Sequence, residues 1–394
     1  MKILVVCQYY YPEPFRITDI CEELVKKGHR VTVITGTPNY PMGKIYKGYE
    51  KGKRKLETIN GVKIHRCFTI GRKGGTVKRF LNYYSYAFSS SIHALFLKND
   101  FDVVLVNQLS PVMMAYAGII YNMIHHKKLI MYCLDLWPAS LCAGGVKQDS
   151  LIYKVFHKIS ASIYRKADRI LVTSNMFKNY LCDELHISNK RVSYLPQYAE
   201  QIFDPVSCAK KPDDCIDLMF AGNIGKVQNV EIVLKVADKL RNRKIRFHIV
   251  GDGTDLERLK KISNDIKLDN VVFHGRRPLE LMPKYYSMAD VMLVTMEDDP
   301  VLNLTLPGKV QTYMAAGKPI IGSINGEAAK VIAESGCGYC CKAEDVESLV
   351  NAITNMISEN RIEQFAKASK AYYDKHFIKD SFIKALENVL VKKK

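Results

Sequence analysis

Residues 301–322 read VLNLTLPGKVQTYMAAGKPIIG, a loop, a short helix and a buried strand in succession. Pro307 stands where a helix takes its first turn, with a fixed φ that fits and a missing N–H that is not needed there. Gly317 stands where that helix stops, and Pro319 lies just beyond. The spacing predicts a capped helix entry over 305–316. Free N–H groups and the positive end of the helix dipole at such an entry suit a phosphate, and Lys309 in the first turn adds a full charge. The same pattern also describes an ordinary surface helix before an ordinary strand, so the flanking chain has to decide.

On either side the strand-and-helix rhythm repeats. IDLMFAG (216–222), IRFHIVG (245–251), VVFHG (271–275) and VMLVT (291–295) are apolar strands, with a helix over 229–242. At the N-terminus, residues 2–8 form a continuous apolar strand, 16–28 an amphipathic helix ending at Gly28, and RVTVIT (30–35) a second strand. Strand, helix and strand in this order imply parallel sheets with helical crossovers. Two halves with the same alternation make an α/β chain of two doubly wound domains, which 394 residues can fill with two cores. Between them, 194–216 has little periodicity and three prolines and reads as a linker.

Composition describes a soluble globular chain, 47% hydrophobic and 25% charged, with no tract biased enough for disorder. The formal charge of +18 is the outlier and fits an anionic partner: nucleic acid, a phosphorylated substrate or an acidic membrane face. MKILVVCQYY has one lysine and a short apolar run, without the longer apolar region and cleavage site of a secretory signal. No apolar run approaches the roughly 20 residues that span a bilayer, so the cytoplasm is the expected compartment. Eleven cysteines scattered through strands and helices, as at Cys7, Cys133 and Cys215, suit reducing conditions. The one CxxC, Cys337 to Cys340, lacks a second pair or a nearby His and reads as a loop entering a strand.

Ligands of open α/β sheets collect at the carboxyl ends of the strands. Four such ends stand out. Tyr9 to Arg16 is an aromatic loop, suited either to packing or to ligand contact. Asp135-Leu136-Trp137-Pro138 follows the strand KLIMYCLD and carries the only tryptophan; an aspartate there also serves as a turn residue. Gly222-Asn223-Ile224-Gly225-Lys226 is a strand-to-helix turn that lets backbone approach a diphosphate while Lys226 reaches it as a point charge. Gly251-Asp252-Gly253 and Gly275-Arg276-Arg277-Pro278 close the next two strands, the latter with arginines able to hold phosphate or face a base.

Together these motifs resemble a family. GNIGK, VGDG, GRRPLELMPKYYSMADVMLV and LPGKVQTYMAAGKPII, in that order and spacing, resemble the C-terminal domain of family 4 glycosyltransferases of the GT-B fold. KKGHRVTVITGTPNYPMGKIYKGY and DLWPASL resemble the bacterial branch that builds capsule, exopolysaccharide and O-antigen repeat units. The resemblance covers nearly the whole chain. It implies two Rossmann-like domains facing across a cleft: an acceptor-side domain over 1–198 and a nucleotide-sugar-binding domain over 199–371, with helix 372–394 packing back on the first. It implies retaining transfer of a hexosyl or N-acetylhexosaminyl group from a nucleotide-sugar donor, usually a UDP-sugar, with no metal and no other cofactor.

Carried onto this chain, the resemblance assigns Lys226 and either Arg276 or Arg277 to the donor diphosphate. Gly222, Asn223 and Gly225 form the turn beneath it; Asp252 and Leu279 also fall on the donor side, and Pro307, Gly308 and Lys309 are the helix entry opposite. Asp135 lines the reacting centre and, with Lys226, is the expected catalytic residue. Glu13, Phe15, Arg16, Asn39, Tyr40 and Trp137 fall on the acceptor side. Many family members place two glutamates around this helix, the second on the ribose, where this chain has Leu304 and Thr312. Ribose contact is then left to Thr312 or to backbone groups.

Lys44, Lys47, Lys51, Lys53, Arg54 and Lys55 crowd one loop, and Arg72, Lys73, Lys78 and Arg79 precede the tyrosine-rich FLNYYSYAFSSSIHALFL (80–97). This is either a core helix beside a solvated basic loop or a segment lying in the interface of an anionic membrane. With the resemblance, the second reading implies a polyprenyl-diphosphate-linked sugar acceptor and a cytoplasmic enzyme peripheral to the inner face of the cell membrane. Two other readings compete. A non-hydrolysing UDP-sugar 2-epimerase of the same fold needs a carboxylate cluster that the motifs lack. A nucleic-acid-binding protein would use the positive charge, but no recognition helix, zinc finger or aromatic RNA-binding motif is present, so no nucleic-acid partner is expected.

Overall fold

A computed structural model describes residues 1–143, 145–204 and 214–392; residues 205–213 of the expected linker and 393–394 of the expected last helix lie outside them. Two compact units divide the chain: Met1–Leu195 with Ile383–Lys394, and Pro196–Phe382.

The first unit holds β1 (Lys2–Val6), α1 (Ile17–Lys26), β2 (Arg30–Gly36), β3 (Leu56–Ile59), β4 (Val62–Cys67), α2 (Thr76–Leu95), β5 (Val103–Gln108), α3 (Tyr116–His125), β6 (Lys128–Cys133), α4 (Ser140–Ala143), α5 (Leu151–Lys166), β7 (Arg169–Val172), α6 (Asn175–Asp183) and β8 (Val192–Tyr194). Its sheet runs β3-β4-β2-β1-β5-β6-β7-β8. β1 is central: Ile3–Val6 pair in parallel with Val31–Ile34 on one side and Val103–Val106 on the other. Being covered on both faces explains why these strands read as unbroken apolar runs. The strand order reverses between β1 and β5, so the crevice at their carboxyl ends is the natural ligand position.

α1 buries Ile17, Ile20, Cys21 and Leu24, the helical spacing seen in the sequence, and Gly28 follows with φ +86°. Ser150 and Ser174 cap α5 and α6, accepting from Tyr153 N and Phe177 N at 3.2 Å each. The antiparallel pair β3–β4 was not foreseen. It closes through Asn60-Gly61, both with positive φ, and its outer strand β3 is short with no buried residue, which leaves little apolar signal.

The second unit holds β9 (Ile216–Ala221), α7 (Glu231–Lys239), β10 (Ile245–Val250), α8 (Leu256–Asp265), β11 (Val271–Gly275), α9 (Met282–Met288), β12 (Val291–Thr295), α10 (Gly308–Ala315), β13 (Ile320–Ser323), α11 (Gly326–Ser335), β14 (Gly338–Cys341), α12 (Val346–Ser358) and α13 (Ile362–His376). The sheet runs β11-β10-β9-β12-β13-β14, all parallel, and reverses between β9 and β12. Alternate residues of β9 feed two cores: Met219 and Ala221 with Tyr313, Ile332 and Tyr373 on one face, Leu218 and Phe220 with Val233, Phe247 and Ile353 on the other.

The expected helix over 305–316 is shorter, Gly308–Ala315, preceded by a 3-10 turn at Leu302–Leu304. Pro307 has extended ψ (132°) and is the N-cap, not a residue of the first turn. Gly317, φ +65°, ends the helix as its position suggested. The last helix, α14 (Lys379–Val391), belongs to the first unit from Ile383 onward. There Glu387 meets His29 at 2.9 Å and Lys27 at 3.3 Å, and the Lys128 ammonium reaches the Lys392 carbonyl at 2.6 Å.

Candidate active site

In the second unit two glycine turns interlock at the carboxyl ends of β9 and β10. Gly222 N donates to Val250 O at 2.9 Å, Ile224 N to Asp252 O at 2.9 Å, and Asp255 N to Ile224 O at 3.0 Å. Gly222 and Gly251 have φ +147° and +149°. A Cβ on Gly251 would stand 1.8 Å from Gly222 O, and one on Gly253 2.2 Å from Ile224 O. Only glycine lets these two backbones touch. Asn223 Nδ2 and Gly225 N both donate to Gln228 Oε1, at 2.9 and 3.1 Å, which closes the first turn on itself.

α10 is pinned beside this turn by Tyr313, whose hydroxyl donates to Ala221 O at 2.8 Å and accepts from Ala221 N at 3.0 Å. At its N-terminus the N–H groups of Gly308 and Lys309 have no helical carbonyl ahead of them. Part of Lys309 reaches the surface, but its Nζ is sealed off and has no hydrogen-bond partner among the described residues. The Nζ lies 3.9 Å from the centre of the Phe220 ring and 3.3 Å from where a Cβ on Gly222 would stand. Burial alone lowers its pKa from 10.5 to about 7. Gly222, Asn223, Gly225, Asp252 and Lys309 are therefore brought together.

The remaining donor-side residues follow β9, β10 and β11 or lie on α10. Lys226 is exposed at the start of a 3-10 turn and contributes to holding the Asp255 carboxyl below its ordinary range, after the hydrogen bond from Arg258. Arg276 and Arg277 are exposed just past β11, Arg277 lying 5.5 Å from the centre of the Tyr285 ring. Asp252 is exposed, and its carboxylate accepts from Gly253 N at 2.8 Å. Thr312 turns its hydroxyl onto its own helix, donating to Gly308 O at 3.0 Å. Leu279 is exposed in the turn after Pro278.

In the first unit, Glu13 is 3% exposed, its Oε1 accepting from Asn39 N at 2.7 Å and Tyr40 N at 2.6 Å, and its Oε2 from Tyr10 N at 3.3 Å. Burial outweighs these three N–H donors and pushes the carboxyl up to about 7. Phe15 stacks on Tyr9 at 4.9 Å, and Tyr40 leans on both. The Arg72 guanidinium sits 5.3 Å over the Tyr40 ring. Glu13, Phe15, Asn39 and Tyr40 thus form one cluster, with Arg16 at the start of α1 beside it.

Asp135 lies after β6. Ser110, at the end of β5, donates its hydroxyl to Asp135 Oδ2, accepts from Trp137 Nε1 at 2.7 Å and lies 3.3 Å from Ser140 Oγ. Burial raises the Asp135 pKa, with the Ser110 hydroxyl opposing it. Trp137 is only 4% exposed and packs edge-to-face on Phe156, so it supports Asp135 through Ser110 and presents no open ring face. The sequence reading missed Ser110, Ser140, Phe220, Gln228 and Tyr313. Ser110 was findable, since it precedes Pro111 at the end of a strand beside the reversal point, and so was Gln228, three residues after Gly225 in the place of a capping-box glutamine; Ser140, Phe220 and Tyr313 act through contacts that no local pattern encodes.

The two halves of the chain each match a known family. Residues 16–197 match Glycosyltransferase Family 4, and residues 209–374 match Glycosyl transferases group 1. The chain is similar to the probable glycosyltransferase WbjE of Pseudomonas aeruginosa, 28% identical over 236 residues, 57% of this chain and 59% of that one. It is also similar to WcaI of Escherichia coli K12, a proposed colanic acid biosynthesis glycosyl transferase, 26% identical over 377 residues, 90% of this chain and 91% of that one. Among solved structures, a glycosyltransferase from Rickettsia africae superposes with a TM-score of 0.72 at 14% identity, covering 99% of this chain and 97% of that one. HepE from Anabaena, in complex with UDP and glucose, superposes with a TM-score of 0.71 at 13% identity over the whole of both chains.

Proposed function

The chain belongs to family 4 of the glycosyltransferases and has the GT-B type of fold, and from that premise we propose a retaining transferase that works without a metal and moves a sugar from a UDP-sugar to a lipid-linked saccharide in cell-surface polysaccharide assembly. The observation that carries the donor half is Lys309, whose Nζ has no hydrogen-bond partner among the described residues and lies at the entry of α10, against the glycine turn after β9. A diphosphate there finds the helix N-terminus, open backbone and a lysine, with Lys226 exposed nearby. These groups can neutralise the charge that builds on UDP as the bond from its β-phosphate oxygen to the anomeric carbon breaks and the acceptor hydroxyl takes its place. Among the described residues no three His, Cys, Asp or Glu side chains gather as a cation site, and the lysines supply the charge in this reading. Solved HepE structures hold UDP or UDP-glucose, which supports UDP as the donor nucleotide.

On the acceptor side, the reading assigns Asp135 to the reacting hydroxyl and the Glu13–Tyr40 cluster to the acceptor saccharide. Membrane attachment is supported by α2, which exposes Phe80, Leu81, Tyr84 and Phe88, the last at 70%. Met123 and Ile124 of α3 and Leu151, Ile152 and Val155 of α5 are exposed as well, and α2, α3 and α5 carry no Asp or Glu. Among the described residues no helix is long and apolar enough to cross a membrane; in this reading the exposed apolar faces lie in the interface. The test is transfer of radiolabelled sugar from UDP-sugars to polyprenyl-diphosphate-linked saccharides in anionic liposomes, with EDTA present. Label should enter the organic phase with the anomeric configuration kept; inversion, or label that never leaves the aqueous phase with any UDP-sugar, sinks the reading.

A further inference from the structure

Lys309 carries an inference that rests on the donor reading above and goes past it. Its Nζ faces the Phe220 ring and the Gly222 turn with no hydrogen-bond partner among the described residues. A ring face attracts a cation but cannot satisfy three N–H donors. Charged groups around α10 are committed elsewhere, Lys318 just past its end to the Ala289 carbonyl. Asp252 takes the Gly253 N–H, Asp255 pairs with Arg258, Asp298 with Asn303, and Asp299 takes the N–H groups of Val301 and Leu302. From α13, Lys370 pairs with Asp204 and Asp374, and the Tyr373 hydroxyl takes the Ala199 N–H. β12 and β13 contribute no titratable side chain, Tyr313 is held by Ala221, and Lys226 points to solvent. An ammonium in this position has lost its water and gained no counter-charge, so the neutral amine is favoured.

We propose that Lys309 is a retractable cation: stowed uncharged against Phe220, it swings to the donor diphosphate and takes up one proton from solvent as the donor binds. Both its Cε and its Nζ lie within 3.4 Å of the point a Cβ on Gly222 would occupy, so the stowed position needs glycine at 222. Donor binding is then linked to proton uptake above neutral pH, where the stowed amine is unprotonated, consistent with its lowered pKa. The leaving diphosphate meets a charge that the protein does not have to keep buried between turnovers.

The experiment is calorimetric titration of the full chain with UDP at pH 8.0, in three buffers of different ionisation enthalpy. Wild type should show an apparent enthalpy that varies with the buffer, with a slope close to one proton taken up per UDP. Lys309→Arg, which stays charged, should bind UDP with no buffer dependence. Lys309→Met should lose the uptake and weaken UDP about tenfold or more, and this variant serves if the arginine does not fold. Equal apparent enthalpies in all three buffers for wild type, or an uptake that persists in either variant, overturns the proposal while leaving the donor site standing. Absence of binding by UDP, GDP and ADP alike removes the donor reading and the proposal with it.

Discussion

Glu13 is the acceptor-side carboxylate whose protonation its burial changes. Its folded pKa of about 7 lies above its ordinary 4.5, so between those values the folded chain holds a proton that the unfolded chain has released. The stability it contributes is complete below pH 4.5 and is lost as pH rises through 7. Replacing Glu13 with Gln should therefore flatten the fall in urea midpoint between pH 4.5 and 7; an unchanged slope contradicts the assignment. Asp135 makes the complementary prediction about chemistry. Asp135→Asn keeps the size and the Ser110 contact, so turnover should drop about tenfold or more while UDP affinity stays within about twofold. Weakened UDP binding with intact turnover would move Asp135 to the donor side. Both residues were visible in the sequence as strand-end carboxylates. Their environments were not, because the hydroxyl of Ser110 and the N–H groups of Asn39 and Tyr40 arrive from segments about 25 residues away in sequence.

At the scale of elements, the strand-to-helix turns are the most constrained parts of the chain. Gly251→Ala places a methyl 1.8 Å from Gly222 O at a φ of +149°, and so should destabilise the fold by about 3 kcal/mol or more, read from denaturant unfolding. A change below about 1 kcal/mol would mean that the two turns are not locked together. The strands around these turns were legible to within two residues: 291–295 and 271–275 as read, 245–251 ending one residue sooner. Continuous apolar runs flanked by glycine leave a parallel buried strand little alternative. The helix at 305–316 was legible as a helix but not in its start. Pro307 satisfies a first turn and an N-cap equally well by its φ; ψ decides between them, and sequence does not fix ψ. The β3–β4 hairpin escaped notice for the opposite reason, since an edge strand with no buried residue needs few apolar side chains.

For the whole molecule, the +18 charge becomes specific only when it is placed. The basic loops sit next to one another, as Lys73 N donates to Gly43 O at 3.0 Å, and they lead into the exposed apolar face of α2. Basic and apolar side chains on acid-free helices fit an anionic bilayer. Phe80→Ser with Phe88→Ser should reduce flotation with phosphatidylglycerol vesicles by about tenfold at unchanged UDP affinity. Equal flotation would make this face an unattached surface. The sequence showed the apolar stretch of α2 but could not say which side faced solvent, nor that α3 and α5 expose apolar side chains too. The resemblance implied that the last helix packs back on the first domain, but not the pair that joins them there, Glu387 and His29, 358 residues apart.

The measurement that bears most directly on the account is a thermal-shift and calorimetric screen of the purified chain against UDP, GDP and ADP, with EDTA throughout. The account predicts saturable binding of one UDP per chain, weakened about tenfold by Lys226→Ala. Stabilisation by none of the three nucleotides would contradict it.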